Sequence, residues 1–303
     1  MNKKIFISHG DIILDKIYND KLELINQDGG GCNWNDIYNL SLMGEECYAF
    51  GSCGNDEEGK IAVGSLKKAG VNTDNIIIEN KPTNVMNIVI PNKDLEDDSI
   101  MHSWYNPITM EYTMNFSKNL PTKLPKELDD REVFVILDKF LPINLEFIRS
   151  IKNKKVCLDI GHIRFFEHFT RQYLFDFFKE ADYIQLNDNV VPLLFERLRV
   201  KSLVELFELL DPELMVLTKG KRGAEYVFKE NGEIKVNFES PKIIVNIVDS
   251  SGAGDAFFST TLREYAYTDK IDTEFTKNAF ELANKSSREV IMQIGSRIKK
   301  EEK

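Results

Sequence analysis

The chain has 303 residues, 42% of them hydrophobic and 29% charged, a balance that supports a sizeable buried core and excludes a wholly disordered chain. Its 39 Lys and Arg against 49 Asp and Glu leave a net charge of -10, which argues against a general nucleic-acid or anionic-membrane binder, because phosphate surfaces attract basic ones. No run approaches the roughly 18 consecutive apolar residues of a membrane span, and the first residues lead into a strand-like segment without a signal-peptide core, so a cytoplasmic protein is expected.

Short apolar runs of strand character occupy residues 4–8, 47–50, 133–137, 155–159, 183–186 and 215–218. Between several of them, apolar residues recur at helical spacing, as in Leu174, Phe175, Phe177, Phe178 and Ala181, and in Leu203, Val204, Leu206, Phe207 and Leu210. The strands are apolar throughout rather than at every second position. That pattern predicts an α/β fold, a doubly wound and mainly parallel sheet with helices on both faces, spanning residues 1–303 as one domain.

Two segments break the rhythm. Residues 12–18 and 22–25 flank the turn pair Asn19-Asp20, and residues 85–90 are followed by Pro91-Asn92-Lys93-Asp94 before a strand-like run near 99–103. Hairpins inserted at about 12–28 and 84–112 are predicted to form a small antiparallel β lid over the strand ends, where open α/β sheets bind ligands. An exposed sheet of this kind can pair with a second copy, so a monomer or a homodimer through the lid is expected. Cys32, Cys47, Cys53 and Cys157 show no CxxC or Cys/His spacing, which argues against zinc and against a disulfide framework. The charged tail after Ser296 reads as a frayed, solvated end.

Asp249-Ser250-Ser251-Gly252-Ala253-Gly254-Asp255 carries the clearest chemistry. Residues 243–248 before it read as a strand, and Phe257, Phe258, Leu262 and Tyr265 after it read as a helix, which puts Gly252, Ala253 and Gly254 on a strand-to-helix turn. Small residues there let a ligand approach, and the free amides of a helix's first turn suit a phosphate or a developing oxyanion. Asp255, in that turn, is either a general base for an incoming hydroxyl or a helix cap.

Other segments follow in a fixed order. They are Gly10-Asp11-Ile12-Ile13-Leu14-Asp15, Gly30-Gly31 with Asn35, Leu40 and Gly44, Gly51-Ser52-Cys53-Gly54-Asn55-Asp56-Glu57-Glu58-Gly59, Leu66-Lys67-Lys68-Ala69-Gly70-Val71 and Thr218-Lys219-Gly220-Lys221-Arg222-Gly223-Ala224. Together with 249–255, they resemble the ordered motifs of the ribokinase-like, PfkB-type carbohydrate kinases, with Ser250 where that family usually has Thr. The resemblance implies an ATP- and magnesium-dependent kinase acting on a hydroxyl of a small sugar, with Asp255 as base and Gly252, Ala253 and Gly254 as anion hole. It further implies that Asp15, Gly30, Gly31 and Asn35 line the sugar pocket, and that Asn187, Thr218, Gly220 and Gly223 face the nucleotide. A monovalent cation, potassium in some relatives, would lie near Asp249.

The chain departs from the family at several further places, among them Trp34 and Asp36, which flank Asn35 where small or apolar residues are usual. Val190 stands where the N-x-x-E motif beginning at Asn187 carries its acid for water-held magnesium. Asp159-Ile160-Gly161-His162 replaces D-P-N, with Arg164 nearby as a substitute phosphate or substrate contact. Lys219 is either a phosphate ligand or solvated, and His102 is either a substrate contact or an exposed lid residue. A nucleoside kinase of the same fold and a non-catalytic sugar- or nucleotide-binding regulator are the alternatives. A dinucleotide-dependent oxidoreductase lacks its glycine-rich turn after the first strand.

Overall fold

A computed structural model of the chain describes residues 3–90, 100–161, 166–241 and 247–298. In chain order, the first third contains β1 (Ile5–Asp11), β2 (Ile13–Tyr18), β3 (Leu24–Gly30), α1 (Cys32–Leu42), β4 (Glu46–Gly54), α2 (Glu57–Ala69), β5 (Asn72–Glu79), β6 (Asn84–Val89) and β7 (Met101–Ser103). The middle contains β8 (Val133–Leu137), α3 (Pro142–Ser150), β9 (Lys154–Ile160), α4 (Arg171–Phe178), β10 (Tyr183–Asn187), α5 (Val191–Leu198) and α6 (Leu203–Leu210). The last third contains β11 (Leu214–Thr218), β12 (Ala224–Glu230), β13 (Glu233–Glu239), α7 (Ala253–Tyr267) and α8 (Thr273–Ile291).

Among the described residues, nine strands form the main sheet in the order β13-β12-β11-β10-β9-β8-β1-β4-β5. Pairing is parallel from β5 across to β11, and β12 and β13 close one edge as an antiparallel hairpin. The all-apolar runs follow from burial on both faces. On β8, Val133, Val135 and Leu137 pack beneath α3, α4, α5 and α6, while Phe134 and Ile136 pack beneath α1, α2, α7 and α8. β1 alternates likewise, with Ile5 and Ile7 on one side and Phe6 on the other. The β12–β13 hairpin escaped the sequence reading, although Asn231-Gly232 followed by the alternating Ile234, Val236 and Phe238 is a hairpin signal. Of the strand expected over 243–248, residues 243–246 lie outside the described residues, and Ile247 and Val248 are not in a strand.

Both predicted insertions form the small second sheet, in the order β3-β2-β6-β7. Its outer pairings, β2 with β3 and β6 with β7, are antiparallel; β2 and β6 join the two insertions by a parallel pairing. The Pro91 turn between β6 and β7 lies outside the described residues. Asp56 ties this sheet to the main body: it caps α2 by accepting from the Gly59 amide at 2.9 Å and also accepts from the Thr83 amide at 2.7 Å, just before β6. All four cysteines are free thiols. Among the described residues no helix is long and apolar enough to cross a membrane.

Candidate active site

The loop of residues 247–252 enters α7 through Gly252, whose φ of 74° is left-handed. A Cβ at this position would lie 1.9 Å from the Ser296 carbonyl oxygen, so only Gly fits. Asp249, fully buried, clasps the loop to the C-terminal turn: its carboxylate accepts from the Ser251 amide at 2.8 Å and from the Gly295 amide at 3.0 Å. The first amides of α7 have no preceding helical carbonyl to bond, and the helix dipole adds positive potential there. At Gly254, by contrast, an added methyl would meet nothing within 4 Å, and the Gly254 carbonyl accepts from Gln185 Nε2 at 3.1 Å.

Asp255 is buried in this first turn, and its Oδ2 accepts from Asn35 Nδ2 at 2.6 Å. Asn35 comes from the start of α1, which begins at Gly31 with a φ of 86°. The two helix starts therefore face each other and hold the carboxylate between them. A cavity of about 240 Å³ opens beside it, lined on the lid side by Asp15, Met86, Ile88 and His102. The opposite wall includes Gly252, Gly254, Asn187 and Thr218. Asp15, on β2, accepts from Ser296 Oγ at 3.3 Å. A Cβ on Gly30 would fall 1.9 Å from the Asp15 carboxyl, which explains the glycine there even though Gly30 itself does not line the cavity.

Acids crowd this site. Burial pushes Asp15 up to about 7, against the pull of Arg297, with Asp255 adding to the rise. Burial likewise pushes Asp255 up to about 6, opposed by the hydrogen bonds from Asn35 and Cys32. Asp159, at the end of β9, is pushed well up by burial and by Asp255, and accepts from Gln185 Nε2 at 3.1 Å. Cys32, Asp159 and Asp255 bring one ligand-type atom each within 4.8 Å of one another. The Cys32 thiol is itself pushed well up by burial and these acids, so it stays protonated and donates to Asp255.

For the residues expected to face the nucleotide and for the anion-hole segment, the agreement is partial. Asn187 and Thr218 line the cavity, whereas Gly220, Gly223 and Ala253 do not. Gly223 is required for packing, since a Cβ would lie 2.0 Å from the Glu239 carbonyl oxygen of β13. Lys219 pairs with Glu225 and lies 6.0 Å from the Phe238 ring centre, so its ammonium is held by its own hairpin. The Asn187 amide is engaged: Nδ2 donates to the Gly161 carbonyl at 2.8 Å, and Oδ1 accepts from the Asn189 and Val190 amides, each at 3.1 Å. Val190 is fully buried in the core. His162 and Arg164 lie outside the described residues.

The family model described as pfkB family carbohydrate kinase matches residues 16–303. The chain belongs to that family. It is similar, at 24% identity over 298 residues, to fructokinase-2 of Oryza sativa subsp. japonica, with 92% of this chain and 86% of that protein covered. Among solved structures it resembles the nucleoside kinase of Methanocaldococcus jannaschii, an archaeal member of the ribokinase family, with a TM-score of 0.72, 16% identity and 98% and 95% of the two chains covered. It also resembles the fructokinase of Vibrio cholerae O395 solved with fructose, ADP and calcium ion, with a TM-score of 0.69, 16% identity and 97% and 94% covered. These likenesses confirm the ribokinase-like fold, and the family makes this chain a kinase, which leaves the non-catalytic reading without support.

Several cavity residues of this kinase were missed from its sequence. Gln185 carried a signal, an amide within the otherwise apolar strand run, as did Asp159 in the altered D-P-N segment. The expectation of a solvated tail after Ser296 is corrected at its first residue: Arg297 is buried beside the buried, cavity-lining Ser296, and residues 299–303 lie outside the described residues. The tail's charged composition misled because it hid one arginine that is buried behind the site, against Asn35.

Asp36, beside Asn35, is fully buried, and among the described residues neither carboxyl oxygen has a hydrogen-bond partner. Burial, then Asp159, Asp255 and Asp138, push it well above its ordinary 3.8. The folded state thus holds a proton that the unfolded state releases, so this group's stabilising contribution is lost as pH rises through its folded value. Asp36→Asn cannot ionise. Its melting temperature is expected to exceed that of the unsubstituted kinase at pH 8, with the gap narrowing as pH falls toward 5; a gap independent of pH would contradict this assignment.

Proposed function

We propose that this kinase transfers the terminal phosphoryl group of ATP to a primary hydroxyl of a small sugar or sugar derivative, with Asp255 as general base. The observation that carries the reading is the placement of the Asp255 carboxylate, gripped by Asn35, in one cavity with Asp15 on the lid side and the α7 start on the other. The acceptor oxygen bonds to the terminal phosphorus while the bond from that phosphorus to the bridging oxygen breaks, releasing ADP. The hydroxyl proton passes to Asp255, and the amides of Gly252 and Gly254 meet the charge on the transferred group, whereas the Ala253 amide donates to the Ser250 carbonyl at 3.4 Å and Ala253 does not line the cavity. Asp15 accepts hydrogen bonds from the sugar's other hydroxyls, and the lid sheet excludes water that would otherwise take the phosphoryl group.

Magnesium, when bound, neutralises phosphate charge in transfers of this kind. The start of α5 does not fit the family's arrangement for it, because Val190 is buried in the core and the Asn187 Oδ1 already accepts from the Asn189 and Val190 amides. A potassium ion near Asp249 would share that carboxylate with the amides of Ser251 and Gly295. The exposed apolar side chains of Leu24, Ile25 and Met101 on lid strands support the lid as the contact of a homodimer.

A nucleoside acceptor is the second reading, favoured by Met86 and Ile88, which present an apolar surface to the cavity suited to a planar base. A panel of free sugars and nucleosides, scored by acceptor-dependent ADP release, separates the two. Release with sugars alone is expected; release with nucleosides alone would transfer the assignment to them, and none with either would overturn both.

A further inference from the structure

We propose that Arg297 is a positioning residue that locks the Asn35 side-chain amide in the one orientation able to hold the Asp255 carboxylate. This rests on the reading of Asp255 as the base.

Arg297 is buried near the end of the described chain and does not line the cavity. Its Nε donates to Asn35 Oδ1 at 2.8 Å and its Nη1 donates to Ser65 Oγ at 2.6 Å. The guanidinium carbon lies 4.5 Å from the centre of the Tyr38 ring, and Asp28 approaches Nη1 at 3.9 Å. Helices α1 and α2 and the lid strand β3 thus all contribute to its seat. Gly29 of β3 makes room, since a Cβ there would meet the guanidinium at 2.7 Å. The backbone around it is fixed too: the Arg297 carbonyl accepts from Gln293 Nε2 at 2.9 Å, and the next amide donates to Asn39 Oδ1 at 3.2 Å.

The chemistry of the two side chains sets the direction of the relay. The oxygen and nitrogen ends of an asparagine amide have nearly the same shape, so packing alone does not choose between them. A guanidinium has donors and no acceptor. Facing Arg297, Asn35 must therefore present Oδ1, which leaves Nδ2 to donate to Asp255 at 2.6 Å. The flipped amide would set donor against donor on one side and carbonyl against carboxylate on the other. Arg297 thus acts on Asp255 through Asn35, from a tail whose composition suggested only solvation.

A double-mutant cycle of Arg297→Ala and Asn35→Ala, read as kcat and KM, tests the relay. Arg297→Ala is expected to lower kcat by about 10- to 100-fold, the weight of a charge-assisted hydrogen bond, with KM for ATP unchanged. Added guanidinium at sub-denaturing concentration is expected to restore part of kcat, and Arg297→Lys to retain more than Arg297→Ala. In the Asn35→Ala background, removing Arg297 should cost little more. Full additivity of the two losses, or a rise in KM for ATP with kcat intact, would overturn the proposal; should Arg297→Ala fail to fold, the same cycle with Arg297→Lys decides it. Near-normal turnover of Asp255→Asn would instead sink the base assignment, so the two failures are distinguishable.

Discussion

Replacing Asp255 with Asn should lower turnover by roughly 10²–10⁴, the usual weight of a general base, while the fold and ATP binding persist. The substitution keeps the shape of a buried side chain, and the new amide oxygen can still accept from Asn35 Nδ2. What disappears is an oxygen basic enough to take the acceptor's proton. The pH profile supplies an independent check. Burial pushes Asp255 up to about 6, and only the ionised form accepts a proton, so kcat/KM of the unsubstituted kinase should fall as pH drops through that value. The residual activity of Asp255→Asn should lack this acid limb. Turnover near normal, or a limb of unchanged position in the variant, would refute the assignment.

Gly252→Ala should be the most damaging of the glycine substitutions at the anion hole. The left-handed φ of 74° alone costs an alanine about 1–2 kcal/mol. The added methyl also meets backbone, the Ser296 carbonyl at 1.9 Å, which cannot swing aside as a side-chain tip would. Either the α7 start or the C-terminal turn must shift, so the amides lose register with the phosphoryl group, and the segment leading into Arg297 moves with them. A stability loss of about 1–3 kcal/mol and a fall in kcat of about 100-fold are expected from thermal melts and steady-state rates. Gly254→Ala provides the contrast, since nothing stands within 4 Å of its Cβ and it lies in the first turn of a helix; its melting temperature should not fall. Equal stability of Gly252→Ala and Gly254→Ala would show that the Ser296 contact imposes no constraint.

The fold was legible where burial on both sheet faces leaves an unbroken apolar run, as at Val133, Phe134, Val135, Ile136 and Leu137, which form β8 as read. The lid was legible from its turn chemistry at Asn19-Asp20, yet the parallel pairing of β2 with β6 was not, because that pairing joins segments some 70 residues apart that share no local signal. In the edge hairpin β12–β13, the polar, half-exposed alternation of β13 lies outside the apolar pattern that marked the other strands, and β12, though it buries Tyr226, Val227 and Phe228, offers only that short apolar run between charged residues. Within the site, short contiguous motifs delivered Asp255, Asn35, Asp15 and Gly252 to one place. Gly223 and Gly30 are glycines for packing reasons, against Glu239 and Asp15, rather than for contact with the cavity. Arg297 was illegible because its partners Asn35 and Ser65 lie 262 and 232 residues away in the chain. Only the fold brings Arg297, the first residue of an exposed-looking basic segment, against a buried amide.

In the proposed mechanism one carboxylate, held by a neighbouring amide, receives the proton of the acceptor hydroxyl, and the rest of the chemistry depends on that transfer. A crystal structure of the kinase with its acceptor and a non-hydrolysable ATP analogue measures the geometry directly. The acceptor oxygen is expected at about 2.6–3.2 Å from an Asp255 carboxylate oxygen, with the terminal phosphate facing the α7 amides. An acceptor hydroxyl bound beyond reach of Asp255, with another side chain at hydrogen-bond distance, would contradict it.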